Sequence, residues 1–310
     1  MIKPKIKLNN FIHNFILYVF FVLTLLITFY SLNFFFAYGV EEKALFFGHE
    51  FDISPNNGTS KLPQIAAQGS NVYVAWQDNT NGNYDIFFTY SSDNGNRFAP
   101  VRNLSHNNGT SELPRIAAQG SNVYVVWQDN TNGNYDVFFQ QSSTNGTKFK
   151  SVRNLSNSNV TSELPQIAVS SNDIYVIWRE NDSGIHRIFF KHVQKDNATG
   201  MLKFGPVNKL YHSGDVSEPK IISGSEFFYG VWKTDLNKNN VSIIEFYPFM
   251  LFEDYSGDSI PLTRLSSNET VSNPDIAVHN SNTYLVWENI RVGNGDVFFK
   301  KLSTKFEKNG

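Results

Sequence analysis

The chain carries an eight-residue loop dense in oxygen and amide groups, Asp78-Asn-Thr-Asn-Gly-Asn-Tyr-Asp85, and copies it unchanged at Asp129 to Asp136. Such loops suit two chemistries: directed hydrogen bonds to a hydroxyl-rich ligand, and coordination of a hard cation such as calcium. The glycine stands fifth where an EF-hand-type loop has it sixth, so Asp78 and Asp85 read as turn caps. Further along, the position of Gln77-Asp78 becomes Arg179-Glu180, followed by His186-Arg187, then Lys233 with Asp235, then Glu288 with Arg291. Charges of both signs around one opening could hold an acidic sugar or a peptide. Glu180, Asp235 and Glu288 are the acids outside the copied loops that a two-carboxylate hydrolysis of a glycoside would call on. The ligand-face candidates are thus Asp78, Asp129, Arg179, Glu180, His186, Arg187, Lys233, Asp235, Glu288 and Arg291. Identical loops cannot supply groups with distinct, tuned pKa values, whereas repeated weak sites add their avidity, so the copies favour binding over catalysis.

These loops belong to a unit repeated five times, with a tryptophan at one place in each: Trp76, Trp127, Trp178, Trp232 and Trp287. Thirteen residues before each stands a proline, eleven before an isoleucine and three before a tyrosine; an apolar pair follows at eleven and twelve. In the first unit, Ile65 to Gln68, Val72 to Gln77, Asp85 to Ser91 and Phe98 to Ser105 read as four short strands joined by turns. VYVAW and IFF are nearly continuous in apolar residues, as in a sheet covered on both faces, so the aromatic residues read as packing. Repeats of this length built from strands point to a β-propeller. Phe47 to Ser54 has the spacing of a fourth strand without its own unit, and the last unit stops short of one. The expectation is therefore an all-β, five-bladed propeller of four-stranded antiparallel blades, the ring closed by strand 47–54. Its blades would cover about 55–105, 106–156, 157–211, 212–266 and 267–310.

Ser91-Ser-Asp93-Asn-Gly95-Asn-Arg-Phe98 resembles the Asp-box of the sialidase-like (BNR-repeat) propellers, Ser-x-Asp-x-Gly-x-x-Trp, with phenylalanine for tryptophan. The second copy, Ser142 to Phe149, has Thr144 for the aspartate, and the third, with Asp196, Gly200 and Phe204, is stretched. The resemblance implies that Ser91, Asp93, Gly95 and Phe98 form a structural turn away from any active site. Enzymes of that family join three arginines, a tyrosine nucleophile with its glutamate, and an aspartate acid/base, usually on six blades. Their first arginine lies in a Phe/Tyr-Arg-Ile-Pro segment, for which this chain offers only Pro114-Arg115-Ile116. No catalytic position carries over.

The 310 residues have no cysteine, which rules out disulfides, thiolate metal sites and a cysteine nucleophile. A formal net charge of −2 without a basic run argues against nucleic acid as a partner. Residues 15–38 are uncharged and follow Lys3, Lys5 and Lys7. This hydrophobic helix reads as a membrane anchor, with a signal peptide cut after Gly39 as the alternative; both place the repeats outside the cytoplasm. The domain reading is 1–39 anchor or signal, 40–46 linker and 47–310 propeller. Ten Asn-x-Ser/Thr sequons, among them Asn103 and Asn154, fit an exported and glycosylated surface. The combined expectation is an extracytoplasmic recognition or scaffolding module for glycans or cell-surface proteins, needing no cofactor. A glycoside hydrolase of the exo-sialidase type and a purely structural envelope component are the alternatives.

Overall fold

The computed structural model describes residues 21–24, 48–210, 214–224, 227–236, 241–250, 263–265, 270–280, 282–291 and 294–303. The chain divides into two compact units, Met1–Phe51 and Asp52–Gly310. In the first, residues 21–24 are helical and 48–51 form no strand. The rest of the apolar stretch 15–38 lies outside the described residues. Among the described residues no helix is long and apolar enough to cross a membrane.

The second unit is all-β, with five antiparallel sheets. The first joins β1 (Ser60–Gln68), β2 (Asn71–Asp78), β3 (Asp85–Ser91) and β4 (Arg102–Asn103); the second β5 (Ser111–Gln119), β6 (Asn122–Asp129), β7 (Asp136–Ser142) and β8 (Arg153–Asn154). The third holds β9 (Ser162–Ser170), β10 (Asp173–Asp182), β11 (Ile185–Lys195) and β12 (Leu202–Lys209). The fourth holds β13 (Asp215–Ser223), β14 (Phe227–Asp235), β15 (Ser242–Met250) and β16 (Thr263–Arg264), and the fifth β17 (Thr270–His279), β18 (Asn282–Arg291) and β19 (Asn294–Ser303). Strand order follows chain order, as tight turns such as Gly69-Ser70 between β1 and β2 require. Successive first strands lie side by side, β1 by β5, β5 by β9, β9 by β13 and β13 by β17.

Each interface between consecutive sheets is an apolar layer. Tyr73, Ala75, Ile86 and Phe88 of the first sheet meet Val123, Val125 and Trp127 of the second, and the same positions recur at the following interfaces. Trp127, Trp178 and Trp232 are fully buried, as are Ile86 and Phe88, each of which contributes about 1.5–3 kcal/mol by leaving water. The continuous apolar runs therefore record the two covered faces of the sheets that lie between neighbours.

Two expectations need correction. The fifth sheet has three described strands, and Gly48–Ser54, proposed as its closing strand, forms none. The Asp52 carboxylate accepts hydrogen bonds from the Ser54 backbone N–H at 2.8 Å and from its hydroxyl, a local turn that removes this donor from any ladder. The fourth strands of the first two sheets are two residues long rather than eight, because side chains take over the pairing. Asn103 donates to Asp85 at 2.6 Å and Asn154 to Asp136 at 2.7 Å, which also engages both sequon amides inside the fold.

Candidate functional site: a cavity on the first strands

Every first strand carries a β-bulge at its proline. The register slips between Lys61 and Gln64, Glu112 and Arg115, Ser217 and Lys220, and Ser272 and Asp275, while in β9 it slips against Ile177 and Arg179. The residue before the proline is left-handed each time: Leu62 at φ 52°, Leu113 at 53°, Leu164 at 55°, Glu218 at 55° and Asn273 at 51°. A residue ahead of proline prefers extended backbone, and a left-handed leucine costs about 1–2 kcal/mol. At three of the five positions the preceding sheet accepts the freed amide. Leu113 N–H donates to Gln77 Oε1 at 3.0 Å, Leu164 N–H to Gln128 Oε1 at 3.1 Å, and Asn273 N–H to Glu218 Oε2 at 2.6 Å. Gln77 and Gln128, 4% and 5% exposed, thus lock one sheet to the next.

The bulge re-aims the residue after the proline, and a cavity of about 420 Å³ opens where these positions meet. Arg115 enters from β5, Leu164 and Gln166 from β9, Glu218, Pro219 and Lys220 from β13, and Asn273, Pro274 and Asp275 from β17. Arg115 donates through Nε to Gln166 Oε1 at 3.2 Å and through Nη1 to the Pro114 carbonyl at 2.9 Å, and has no carboxylate partner among the described residues. Burial pulls its guanidinium below the usual value, yet an arginine stays charged. Lys220 and Asp275 are exposed and make no ion pair among the described residues. The cavity therefore offers two cations, two carboxylates and two amides, able to donate to and accept from a polar ligand.

The candidates drawn from the loops lie elsewhere and serve the sheets. Asp78 accepts from Asn56 Nδ2 and Thr80 N–H, both at 2.8 Å, and from the Ser60 and Thr80 hydroxyls. Burial works to raise its carboxyl, but the donors Ser60, Thr80 and Asn56 together outweigh it and hold it below the ordinary value. Asp129 repeats the arrangement with Asn107, Ser111 and Thr131, and Glu180 accepts from Ser158 at 2.6 Å, Ser162 at 3.1 Å and Trp178 Nε1 at 3.0 Å. In the fourth unit the buried Glu245 takes this place, receiving Trp232 Nε1 at 3.1 Å. Asp78, Asp129 and Glu180 have both carboxylate oxygens engaged by hydroxyls, amides or an indole N–H, whereas Glu245 Oε1 is buried without a hydrogen-bond partner; no cluster of three or more metal-ligating side chains occurs among the described residues.

Arg179 pairs with Glu163, His186 with Asp215 at 2.9 Å, and Arg187 with Asp182 at 3.4 Å, all in or between the third and fourth sheets. Lys233 pairs with Asp235 at 3.2 Å. Glu288 accepts from Ser272 and Asn273, which places it on the bulge of its own sheet. The side chain of Arg291 lies outside the described set. Ser91 Oγ accepts the Gly95 N–H at 2.9 Å and donates to Asp93, which caps Arg97 N–H, while Phe98 is half-buried. Thr144 does in the second copy what Asp93 does in the first, accepting Lys148 N–H at 3.0 Å.

The cavity residues were missed, although a signal was present. The first two units are nearly identical from Gly58 and Gly109 onward, yet Lys61 and Gln64 become Glu112 and Arg115. Over five units the position after the proline reads Gln64, Arg115, Gln166, Lys220, Asp275, the variable place in a copied strand.

No family model matches the chain and no curated protein matches it. Solved structures that align with it include an endo-arabinase from Bacteroides thetaiotaomicron, at 11% identity and a TM-score of 0.46, covering 78% of this chain and 94% of that one. A mutant sialidase from Trypanosoma rangeli aligns at 11% identity and a TM-score of 0.43, covering 78% and 54%. A family GH43 endo-arabinanase from Bacillus licheniformis aligns at 13% identity and 0.39, covering 77% and 92%. At such values the likeness assigns no activity.

Proposed function

We propose that the repeats form a propeller-type recognition module, displayed outside the cytoplasm, that binds glycans in the cavity on the first strands. The observation that carries this is the convergence of Arg115, Gln166, Lys220 and Asp275, one residue per sheet, on a single space of about 420 Å³. A hydroxyl-rich ligand needs a few directed donors and acceptors fixed on rigid elements, and bulged strands clamped by the preceding sheet provide them. Differing side chains at one repeat position give four of the sheets contacts of their own, so a single asymmetric ligand is recognised rather than several equal ones.

The test is a glycan array with the full chain, followed by calorimetry on any hit. Arg115→Ala is expected to weaken binding about 10-fold or more, the loss of one charge-assisted hydrogen bond in a partly buried site. Binding unchanged in Arg115→Ala and in Asp275→Asn would remove the cavity as the site.

A second reading, glycoside hydrolysis, rests on Glu218 and Asp275 lying in the same cavity. It predicts turnover of an aryl-glycoside panel that Asp275→Asn abolishes while glycan affinity persists. No turnover across the panel rejects it.

A further inference from the structure

A second cavity, of about 200 Å³, lies between the second and third sheets and shares no residue with the first. It sits toward their fourth strands, the edge of each sheet opposite its first strand. Phe139 of β7, Lys150 and Arg153 at the entry to β8, and Met201, Leu202 and Phe204 at the start of β12 line it. The corresponding place between the first and second sheets is closed. There the 142–149 turn brings Gly146 so near Phe88 that an added Cβ would lie 2.8 Å from the ring. Phe149 packs edge-on to Phe88 at 4.9 Å, and Arg102 Nη1 donates to the Thr147 carbonyl at 2.5 Å. In the third unit the matching phenylalanine comes 26 residues after its tryptophan instead of 22, and the longer β11–β12 hairpin carries the turn away. Gly200 meets nothing within 4 Å, and Phe204 stands 5.7 Å from Phe139.

Arg153 holds in the second sheet the register position of Arg102 in the first, opposite Phe139 as Arg102 is opposite Phe88. Its guanidinium has no hydrogen bond or ion pair among the described residues and lies over the Phe204 ring, 4.2 Å from the centroid. Stacking on an aromatic face fixes the guanidinium plane and leaves its N–H edge open, the arrangement that receives a carboxylate through two parallel hydrogen bonds. Lys150 is exposed and likewise makes no ion pair among the described residues. Lys191, whose Nζ donates to the Leu155 carbonyl at 2.9 Å, adds a third positive charge; burial and then the charge of Arg153 hold it below its ordinary value. No carboxylate lines the cavity among the described residues. The rest of the lining used here is apolar, with Phe139 buried, Leu202 and Phe204 half-buried and Met201 63% exposed. We propose that this cavity binds a small organic anion, a carboxylate carried on a single flat apolar ring. Arg153 and Lys150 hold the carboxylate, and Phe139, Met201, Leu202 and Phe204 cover the ring. An inorganic anion would leave the apolar wall bare, and an oligosaccharide exceeds the space.

The probe is 4-fluorobenzoate, titrated with the full chain and followed by fluorine NMR. Binding is expected with a Kd of about 1 mM or tighter. Arg153→Gln removes the fork and Met201→Glu sets a like charge at the cavity. Each should raise that Kd about 10-fold or more while keeping the melting temperature of the unmodified chain, since both side chains are exposed. Arg102→Gln, at the closed counterpart, should leave the Kd unchanged. Competition by 4-fluorobenzyl alcohol and by inorganic phosphate separates the two halves of the ligand, and neither should displace the probe at equal concentration. Equal displacement by the alcohol would show a merely apolar hollow, and equal displacement by phosphate a merely cationic one; either overturns the proposal. So would the absence of binding, or binding that survives both Arg153→Gln and Met201→Glu.

Discussion

Gln128 Oε1 accepts the Leu164 amide across a sheet interface at 3.1 Å, in surroundings where water cannot replace it. Gln128→Ala leaves that N–H unpaired beside a left-handed leucine, and is expected to cost about 1–3 kcal/mol, read as a lower urea midpoint. Gln128→Glu keeps the acceptor and should lose less. Asp78 makes a pH prediction of definite sign. Its folded pKa lies below the unfolded value of about 3.9, so its contribution is present above that pH and fades as pH falls through the folded value. Urea midpoints measured down the acid limb should fall more gently for Asp78→Asn than for the unmodified chain; parallel curves would remove Asp78 as the cause. The cap of Asp78 on Thr80, two residues on, was legible as a turn, but the remaining partners stand 18 to 36 residues away and meet only when the strands pair.

At the scale of elements, the strands and turns follow from local sequence, and a bulge recurs at the proline of every first strand, its freed amide accepted by the preceding sheet in three of the five. A Leu-Pro pair inside an apolar run reads as an interruption; in place, it is the device that turns the next side chain into the cavity. The blade links behave similarly. Gly109 carries no side chain where the Thr131 backbone passes, and an added Cβ would lie 2.5 Å from the Thr131 nitrogen. Gly109→Ala should therefore cost about 1–3 kcal/mol by forcing the link off the β6–β7 hairpin. Gly120, at φ +58° with open space around it, isolates the backbone term, and Gly120→Ala should cost about 1 kcal/mol. Equal losses at both sites would contradict the close approach at Gly109.

Over the whole molecule, the tyrosines three residues before the first four tryptophans sit in apolar layers, and their ionisation reports on the stacking of sheets. Burial pushes Tyr124 up to about 12, and burial with the charge of Glu112 does the same to Tyr135. Both folded values exceed the unfolded value of about 10, so the stability they carry is full below pH 10 and is lost as pH rises toward 12. Unfolding midpoints between those limits should decline, and Tyr124→Phe should flatten the decline. The sequence by itself determined the five-fold unit, its strands and its buried layers, because strand period, turn residues and two covered faces are local properties that copying repeats. Only the tertiary structure decided that Arg115, Gln166, Lys220 and Asp275, each 51 to 55 residues from the next, share one cavity, and that Ile65 and Phe299 are left exposed. The reason is physical: which side chains of separate sheets meet in one space depends on how the bulged first strands are brought side by side, which no residue encodes alone.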